Sequence, residues 1–209
     1  KDPSPVTRNT SRMGMYLHFG QISSLEILKR LYKYVSEQKS AGNYIDQESV
    51  DGFIEQVFIR RELAYNYVYY TQGYDQFDKM TDGWAYQTMA MHRDDEREHI
   101  YTLEELIKCN THDPYWNDAM REMVETGYMH NYMRMYWCKK ILEWSPSYQE
   151  AYEHAIYLNN RYFIDGRDPN GYTGVAWCFG KHDHGWKERP IFGKLRYMNA
   201  NGLKRKFKM

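Results

Sequence analysis

The chain has 209 residues, 28 basic and 28 acidic side chains, and no formal net charge. That length suits one domain with a sizeable core, and an aromatic content of 17% excludes a disordered chain. No run of about 18 apolar residues exists, which excludes a membrane-spanning helix. Three scattered cysteines (Cys109, Cys138 and Cys178) argue against a disulfide scaffold and for a reducing compartment.

In chain order, Lys1 to Arg12 is rich in Pro, Ser, Thr and Asn and reads as a loop. No secretory signal is present, and because the first residue is Lys1 the natural start is expected to lie upstream. Ser23 with Glu26 forms a capping-box pattern, and Ile22, Leu25, Leu28, Leu31 and Val35 recur at helical spacing from the residue before it. Ser40 to Asn43 breaks this helix. The next is expected from about Gln47 to Tyr70, with Phe53, Val57, Ala64 and Val68 facing the core and Gly73 ending it. His92 to His99 is a charge run and reads as an exposed loop or helix end.

Thr102 and Glu105 make a second capping box for a short helix through Ile107. Asp113-Pro114 is an N-cap followed by proline at the first helical position, and Gly127 closes that helix. Met129, Met133, Trp137, Ile141 and Trp144 mark one apolar stripe. Ser145-Pro146 is expected to stop it and cap the following helix, whose stripe is Tyr148, Tyr152, Ala155, Leu158 and Tyr162. Asp165 to Gly174 reads as an ordered loop from its Gly, Pro, Asn and Asp content, and mixed loop and short helix follow. With no alternating strand, repeat or linker, residues 1–209 read as one all-α domain.

Several residues do not suit a plain core. Arg60, Arg61 and Glu62 interrupt an apolar helix, and Arg134 is crowded by Met133, Met135, Tyr136 and Trp137. A buried charge requires a partner or ligand, and Asp165 is the expected partner of Arg134. Trp137 and Trp144 lie seven residues apart, about 10 Å along one helix face, with Trp116 on the preceding helix. Such a series can pass an electron or simply pack. His182-Asp183-His184 lacks the further spaced ligands of a metal site, so no metal is expected. No nucleotide-binding glycine motif occurs. The zero net charge is itself uneven: from Lys181 onward nine Lys/Arg face two acidic residues, so this end carries +7 and the remainder −7. The basic end is either a phosphate-contacting surface or a solvated tail.

Longer motifs carry a resemblance. Tyr16-Leu-His-Phe-Gly-Gln-Ile-Ser23, Arg60-Arg-Glu-Leu-Ala64, the stretch from Arg93 to Tyr101, Met129-His-Asn-Tyr-Met-Arg-Met-Tyr-Trp137 and Lys139-Lys-Ile-Leu-Glu-Trp144 resemble class II DNA photolyases. So do Asp165-Gly-Arg-Asp-Pro-Asn-Gly-Tyr172, the run from Gly185 to Asn199, and Lys204-Arg-Lys-Phe207. These motifs run in order from about Thr10 to the end of the chain.

The resemblance implies the FAD-binding helical domain of the photolyase/cryptochrome class and light-driven repair of cyclobutane pyrimidine dimers in ultraviolet-damaged DNA. The alternative is a cryptochrome-like photosensor without repair. It also implies a monomeric protein of the cytoplasm, nucleoid or nucleus. Residues 1–12 would then be a link from an N-terminal α/β antenna domain, which would hold any antenna pigment.

By position, Thr10, Ser11, Arg12, Met13 and Gly14 match the loop holding the FAD phosphates, although the family usually has Ser at Gly14. Arg134 and Asp165 match a salt bridge beside the flavin ring. Asn159 matches the Asn near flavin N5, and Asn131 stands where most class II members have Gly. Trp137 and Trp116 match the photoreduction relay, with Trp144 close by and Tyr101 a side branch. Trp177 matches an aromatic against the flipped-out dimer, and Gln56 stands where the family generally has a dimer-binding Glu. Arg60, Glu62 and Asp183 are assigned to the lesion side, and Lys194, Arg196, Lys204 and Arg205 to the strand backbone.

Overall fold

A computed structural model describes residues 10–207. The reading of 1–12 as a loop therefore lies largely outside the described residues, as does Lys208. The fold is a bundle of helices, and among the described residues its one β feature is an isolated bridge between Arg189 and Gly193.

Helix α1 (Gly14–His18) is a single turn, and α2 (Ser24–Ser40) starts where Ser23 Oγ accepts the Glu26 N–H. The reciprocal arm of the expected capping box is missing, because the Glu26 carboxylate takes Arg30 instead (2.7 Å). Helix α2 buries Ile27, Leu28 and Val35, while Leu25, expected in the stripe, is exposed. Helices α3 (Gln47–Ile54) and α4 (Arg60–Tyr70) are continuous through a π-helical turn over Glu55–Ile59. This run ends at Tyr70, three residues before Gly73. Helix α5 (Gly83–Met91), which carries no clear apolar period, leads into the irregular segment 92–102.

The caps set the next elements. Thr102 and Glu105 complete a full capping box for α6 (Leu103–Ile107). Asp113 accepts the Tyr115 and Trp116 N–H groups to start α7 (Pro114–Thr126), and Gly127 ends it in the left-handed region. Helix α8 (Asn131–Trp144) is followed by α9 (Tyr148–Tyr162), whose N-cap is Ser147 rather than Ser145. Ser145 Oγ instead donates to the Ile141 carbonyl. The expected loop to Gly174 is cut short, since Asp168 caps α10 (Pro169–Cys178) with Pro169 at its first turn. The Asp-Pro pair outweighs the loop-forming composition around it. Helix α11 (Ala200–Phe207) buries Leu203.

Helix α8 is the axis. It packs against α7, α9 and α10, and α10 also packs against α4. From Tyr136 to Leu142 every residue of α8 is buried, so one stripe understates its environment. Each large apolar side chain sequestered there contributes about 1.5–3 kcal/mol. The polar groups inside are paired: Lys139 Nζ donates to the Cys178 carbonyl, Lys140 pairs with Glu143, and the Tyr136 hydroxyl donates to Asp113. Asp113 thus serves the α7 cap and a buried phenol together.

Asp113→Ala should cost about 2–4 kcal/mol, one cap plus an orphaned buried hydroxyl. Tyr136→Phe, which keeps the cap, should cost less. Urea unfolding of the two variants measures the difference.

Candidate functional site

The loop before α1, the N-terminal part of α8 and the segment joining α9 to α10 meet at one point. Arg134 Nη2 donates to both Asp165 oxygens (2.9 and 3.2 Å), Nε donates to the Met129 carbonyl (3.3 Å), and the guanidinium lies 3.8 Å over the Phe163 ring. The side chains are 24% and 22% exposed, so the pair borders an opening and is not sealed in the core. The expected partner of Arg134 is the one found.

Gly14 approaches this pair so closely that a Cβ there would stand 2.9 Å from Asp165 Oδ2. A serine at this position would therefore require the ion-paired carboxylate to move. The Thr10 hydroxyl shares a hydrogen bond with Tyr128 (2.9 Å), the Arg12 guanidinium covers the Tyr128 ring, and Ser11 Oγ accepts the Met13 N–H (3.4 Å). Asn159 is buried on α9, its amide donating to Asn160 (3.0 Å), and a Cβ at Gly171 would come within 2.7 Å of that amide nitrogen. The glycine lets α10 pass against Asn159. Asn131, at the first position of α8, is exposed. An interaction that sequence reading missed ties this region to α4: the buried Asp168 accepts from His18 (3.2 Å) and lies 3.8 Å from Arg61.

The tryptophans form a connected series. Trp137 packs on Phe163 (ring centroids 6.0 Å apart), and the Trp116 indole donates to the Trp137 carbonyl (3.0 Å). Trp116 meets Trp144 edge-on at 5.8 Å, and Trp144 meets Tyr101 at 5.5 Å. Trp116 and Trp137 are sequestered, while Tyr101 is half-buried. The series therefore leads from the Arg134 pair, through Phe163, towards the surface.

A second surface gathers around Trp177 on α10. The Arg60 guanidinium stands 5.1 Å over its ring and is held by Glu55 (2.8 Å) across the π turn that also carries Gln56. His182 packs against both Trp177 (5.6 Å) and Tyr67 (5.9 Å). Glu55 and His182 are not evident from the sequence; the i,i+5 spacing of Glu55 and Arg60 is invisible unless a π turn is assumed. Glu62 and Gln56 lie on this helix run, with Gln56 exposed.

Asp183 accepts the Trp186 indole N–H (3.2 Å) and the His184 N–H (2.9 Å). Trp186 is missed by periodicity because it lies in a loop; it stacks on His184 and under Arg196. Its backbone N–H donates to the Lys194 carbonyl (2.8 Å). Arg196 and Arg205 share a pocket of about 210 Å³ with Arg189, Tyr197 and Asn199. Lys204 instead reaches the Tyr115 ring, so the basic end does not form one uniform face. Among the described residues no group of three or more His, Cys, Asp or Glu is arranged to hold a metal, and no helix is long and apolar enough to cross a membrane.

These observations define a helical domain with a partly exposed ion pair and a buried aromatic series leading away from it. No family model matches the chain. Curated relatives do: it is 52% identical to the deoxyribodipyrimidine photo-lyase of Methanothermobacter thermautotrophicus over 205 residues, 98% of this chain and 43% of that protein. It is 50% identical to the enzyme of the same name from Oryza sativa subsp. japonica over 96% of the chain and 38% of the relative. The corresponding figures for Potorous tridactylus are 48%, 94% and 36%. The chain thus spans about two fifths of the length of these relatives. Over the region it spans, the chain is similar in sequence to these deoxyribodipyrimidine photo-lyases, and its own fold is all-α.

The loop carrying Trp186 and Arg196 is anchored by a charged link. His92 lies between Asp95 (2.7 Å) and Glu188 (3.0 Å), and Asp95 also accepts the Ile191 N–H (2.7 Å). Hydrogen bonds to Glu188 and then Asp95 raise the His92 pKa. Its stabilisation is therefore complete below the ordinary imidazole value of about 6.5 and is lost as pH rises through the higher folded value. The melting temperature should fall between these limits in the parent protein more than in His92→Gln. Parallel profiles would remove the link.

Proposed function

We propose that this chain is the FAD-binding and lesion-binding domain of a class II DNA photolyase, acting on cyclobutane pyrimidine dimers in ultraviolet-damaged DNA. The observation that carries the reading is the continuity from the Arg134–Asp165 pair, through Phe163 and Trp137, to Trp116 and Trp144. A partly exposed paired charge and a sequestered aromatic series leading from it suit a redox-active, planar cofactor.

The residues present fit that cofactor. Gly14 leaves a close approach to Asp165 that a side chain would fill, and the hydroxyls and N–H groups of 10–14 with Arg12 form a donor set for phosphate oxygens. Arg134, kept in place by Asp165, would offset negative charge on a reduced flavin, and the Asn159 amide would offer it a hydrogen bond. Asn131 would border the same site. When bound, the reduced and light-excited flavin supplies an electron to the dimer and recovers it after the cyclobutane ring has opened.

The chain's own residues supply position and environment. Trp177 offers a flat apolar platform for a flipped-out dimer, and Arg60 over that ring keeps a positive charge beside it. The Gln56 amide would hydrogen-bond the pyrimidine edges, with Glu55 adjacent and engaged by Arg60. Glu62 and Asp183 contribute to the same side, the latter by fixing Trp186. Lys194, Arg196, Lys204 and Arg205 would contact strand phosphates, making affinity fall with salt. Trp137, Trp116 and Trp144 would deliver electrons inward when the oxidised protein is illuminated.

The test is blue-light repair of an oligonucleotide containing a thymine dimer by the flavin-loaded, chemically reduced protein. Dimer loss supports the reading; flavin retention without repair would instead make the chain a photosensor-type domain. Separately, Trp137→Phe should abolish photoreduction of the oxidised protein while leaving repair after chemical reduction within about twofold. Photoreduction at the parent rate would exclude Trp137 from the relay.

A further inference from the structure

The outer end of the aromatic series does not stop at a bare side chain. Tyr101 is fixed to Trp144 twice, by ring contact at 5.5 Å and by its backbone N–H donating to the Trp144 carbonyl (3.0 Å). Its phenol oxygen accepts the His112 backbone N–H (3.0 Å) and lies 2.7 Å from His112 Nδ1. In the neutral tautomer that carries its hydrogen on Nε2, His112 Nδ1 is free to accept the phenolic hydrogen. His99 packs against His112 at 3.8 Å, and the His112 ring also touches Trp144 at 5.1 Å.

We propose that Tyr101 and His112 form a proton-coupled terminus for the tryptophan series, in which His112 Nδ1 takes the phenolic proton as Tyr101 gives up an electron. The step rests on the electron relay described above. It would begin from a Trp144 radical cation, the state that inward electron transfer along the series would leave at its outer end. One electron passes from Tyr101 to Trp144, which returns to its neutral form, and the proton passes along the 2.7 Å hydrogen bond to His112. One positive charge enters the step on Trp144 and leaves it on His112. A neutral tyrosyl radical remains at the half-buried end, where an external thiolate gives it one electron and leaves as a thiyl radical while His112 returns the proton to the phenol oxygen.

The physical reason for this pairing is directional. Electron loss makes a phenol strongly acidic, so a prepositioned base allows both particles to leave together and avoids a charged phenol radical. A hole left on Trp144 alone can return inward, whereas one neutralised at Tyr101 must first recover its proton.

The surroundings favour a neutral acceptor. Burial and then His99 lower the His112 pKa; Lys140 acts in the same sense, while Asp113 and Glu143 oppose it. Glu98 lies 3.7 Å from His99 on the exposed side. His112 is therefore ready to accept at neutral pH. It loses that capacity only as pH falls through a value below the ordinary imidazole range of about 6.5.

The decisive experiment follows radicals by transient absorption and electron paramagnetic resonance in the parent, Tyr101→Phe and His112→Phe proteins. In one arm the flavin-loaded chain is illuminated. In the other, a ruthenium polypyridyl photooxidant with an external electron acceptor oxidises the same protein directly, so failure of the flavin assignment does not mask the result.

The parent should yield a tyrosyl signal that is absent in Tyr101→Phe. In His112→Phe it should form about a hundredfold more slowly, the scale of losing a positioned base. The parent rate should fall in heavy water and on acidification through the His112 pKa. Tyrosyl formation in His112→Phe at the parent rate, or a parent rate unaffected by heavy water and pH, would overturn the proposal. So would a signal that persists in Tyr101→Phe.

Discussion

A guanidinium cannot be placed among Met133, Met135, Tyr136 and Trp137 without a compensating charge, and the fold is arranged to supply one. Asp165 comes from the segment between α9 and α10, 31 positions along the chain, and both of its oxygens face one nitrogen of Arg134. Bringing it there requires Gly127 to end α7 in a left-handed turn, with its carbonyl accepting the Ile164 N–H (3.0 Å). It also requires Gly14 to bring the first described loop against the carboxylate. Three separate stretches of chain thus converge on one ion pair. An ion pair of this kind adds little net stability while its rupture is costly, so its value lies in fixing geometry.

The same constraint governs α8 from Tyr136 to Leu142, where every residue is buried. A helix buried on all faces must satisfy every polar atom internally. The indoles meet this requirement through the chain itself: Trp116 donates to the Trp137 carbonyl, and the Trp137 indole lies 3.4 Å from Met120 Sδ. The side-chain nitrogens of two adjacent lysines turn to Cys178 and Glu143. Full burial lowers the Lys139 pKa by desolvation, against the opposing charges of Cys178, Cys138 and Asp183. The aromatic series is consequently rigid and dry along its inner part, which are the conditions under which a charge can move along it without solvent trapping it.

Much of the fold is legible in the sequence because local chemistry decides helix ends. Ser23, Thr102, Asp113 and Gly127 act where their residue types say they should. The failures are equally physical. Helix α5 has apolar residues around its circumference and offers no period to read, and the Gly- and Asn-rich composition of α10 masks its Asp168-Pro169 start. Leu25 follows the helical period but falls on the wet side, while Ile27 takes its place. At the site, Arg134 is visible as an awkward charge and Asp165 as its partner. Glu55, His182 and His112 are not visible, since their partners lie across a π turn or in another element. Sequence periodicity reports which face is apolar; it carries no distance between two loops.

The π turn shows why that difference matters. In an α-helix, residues three and four apart share a face, and Glu55 would turn away from Arg60. One extra residue in the turn rotates the downstream helix by about 100°, which sets Glu55 and Arg60 side by side and delivers the guanidinium to Trp177. The turn also leaves Arg61 facing Asp168 on the opposite side of the same helix. Two adjacent arginines therefore serve two different neighbours, one at the Trp177 surface and one at the base of α1. The zero net charge has the same structure in miniature: it is a cancellation between regions. Leu203 anchors the basic end to the core, and Arg189, Arg196 and Arg205 line one pocket that no carboxylate lines. A tail kept only for solubility needs neither the anchor nor the convergence.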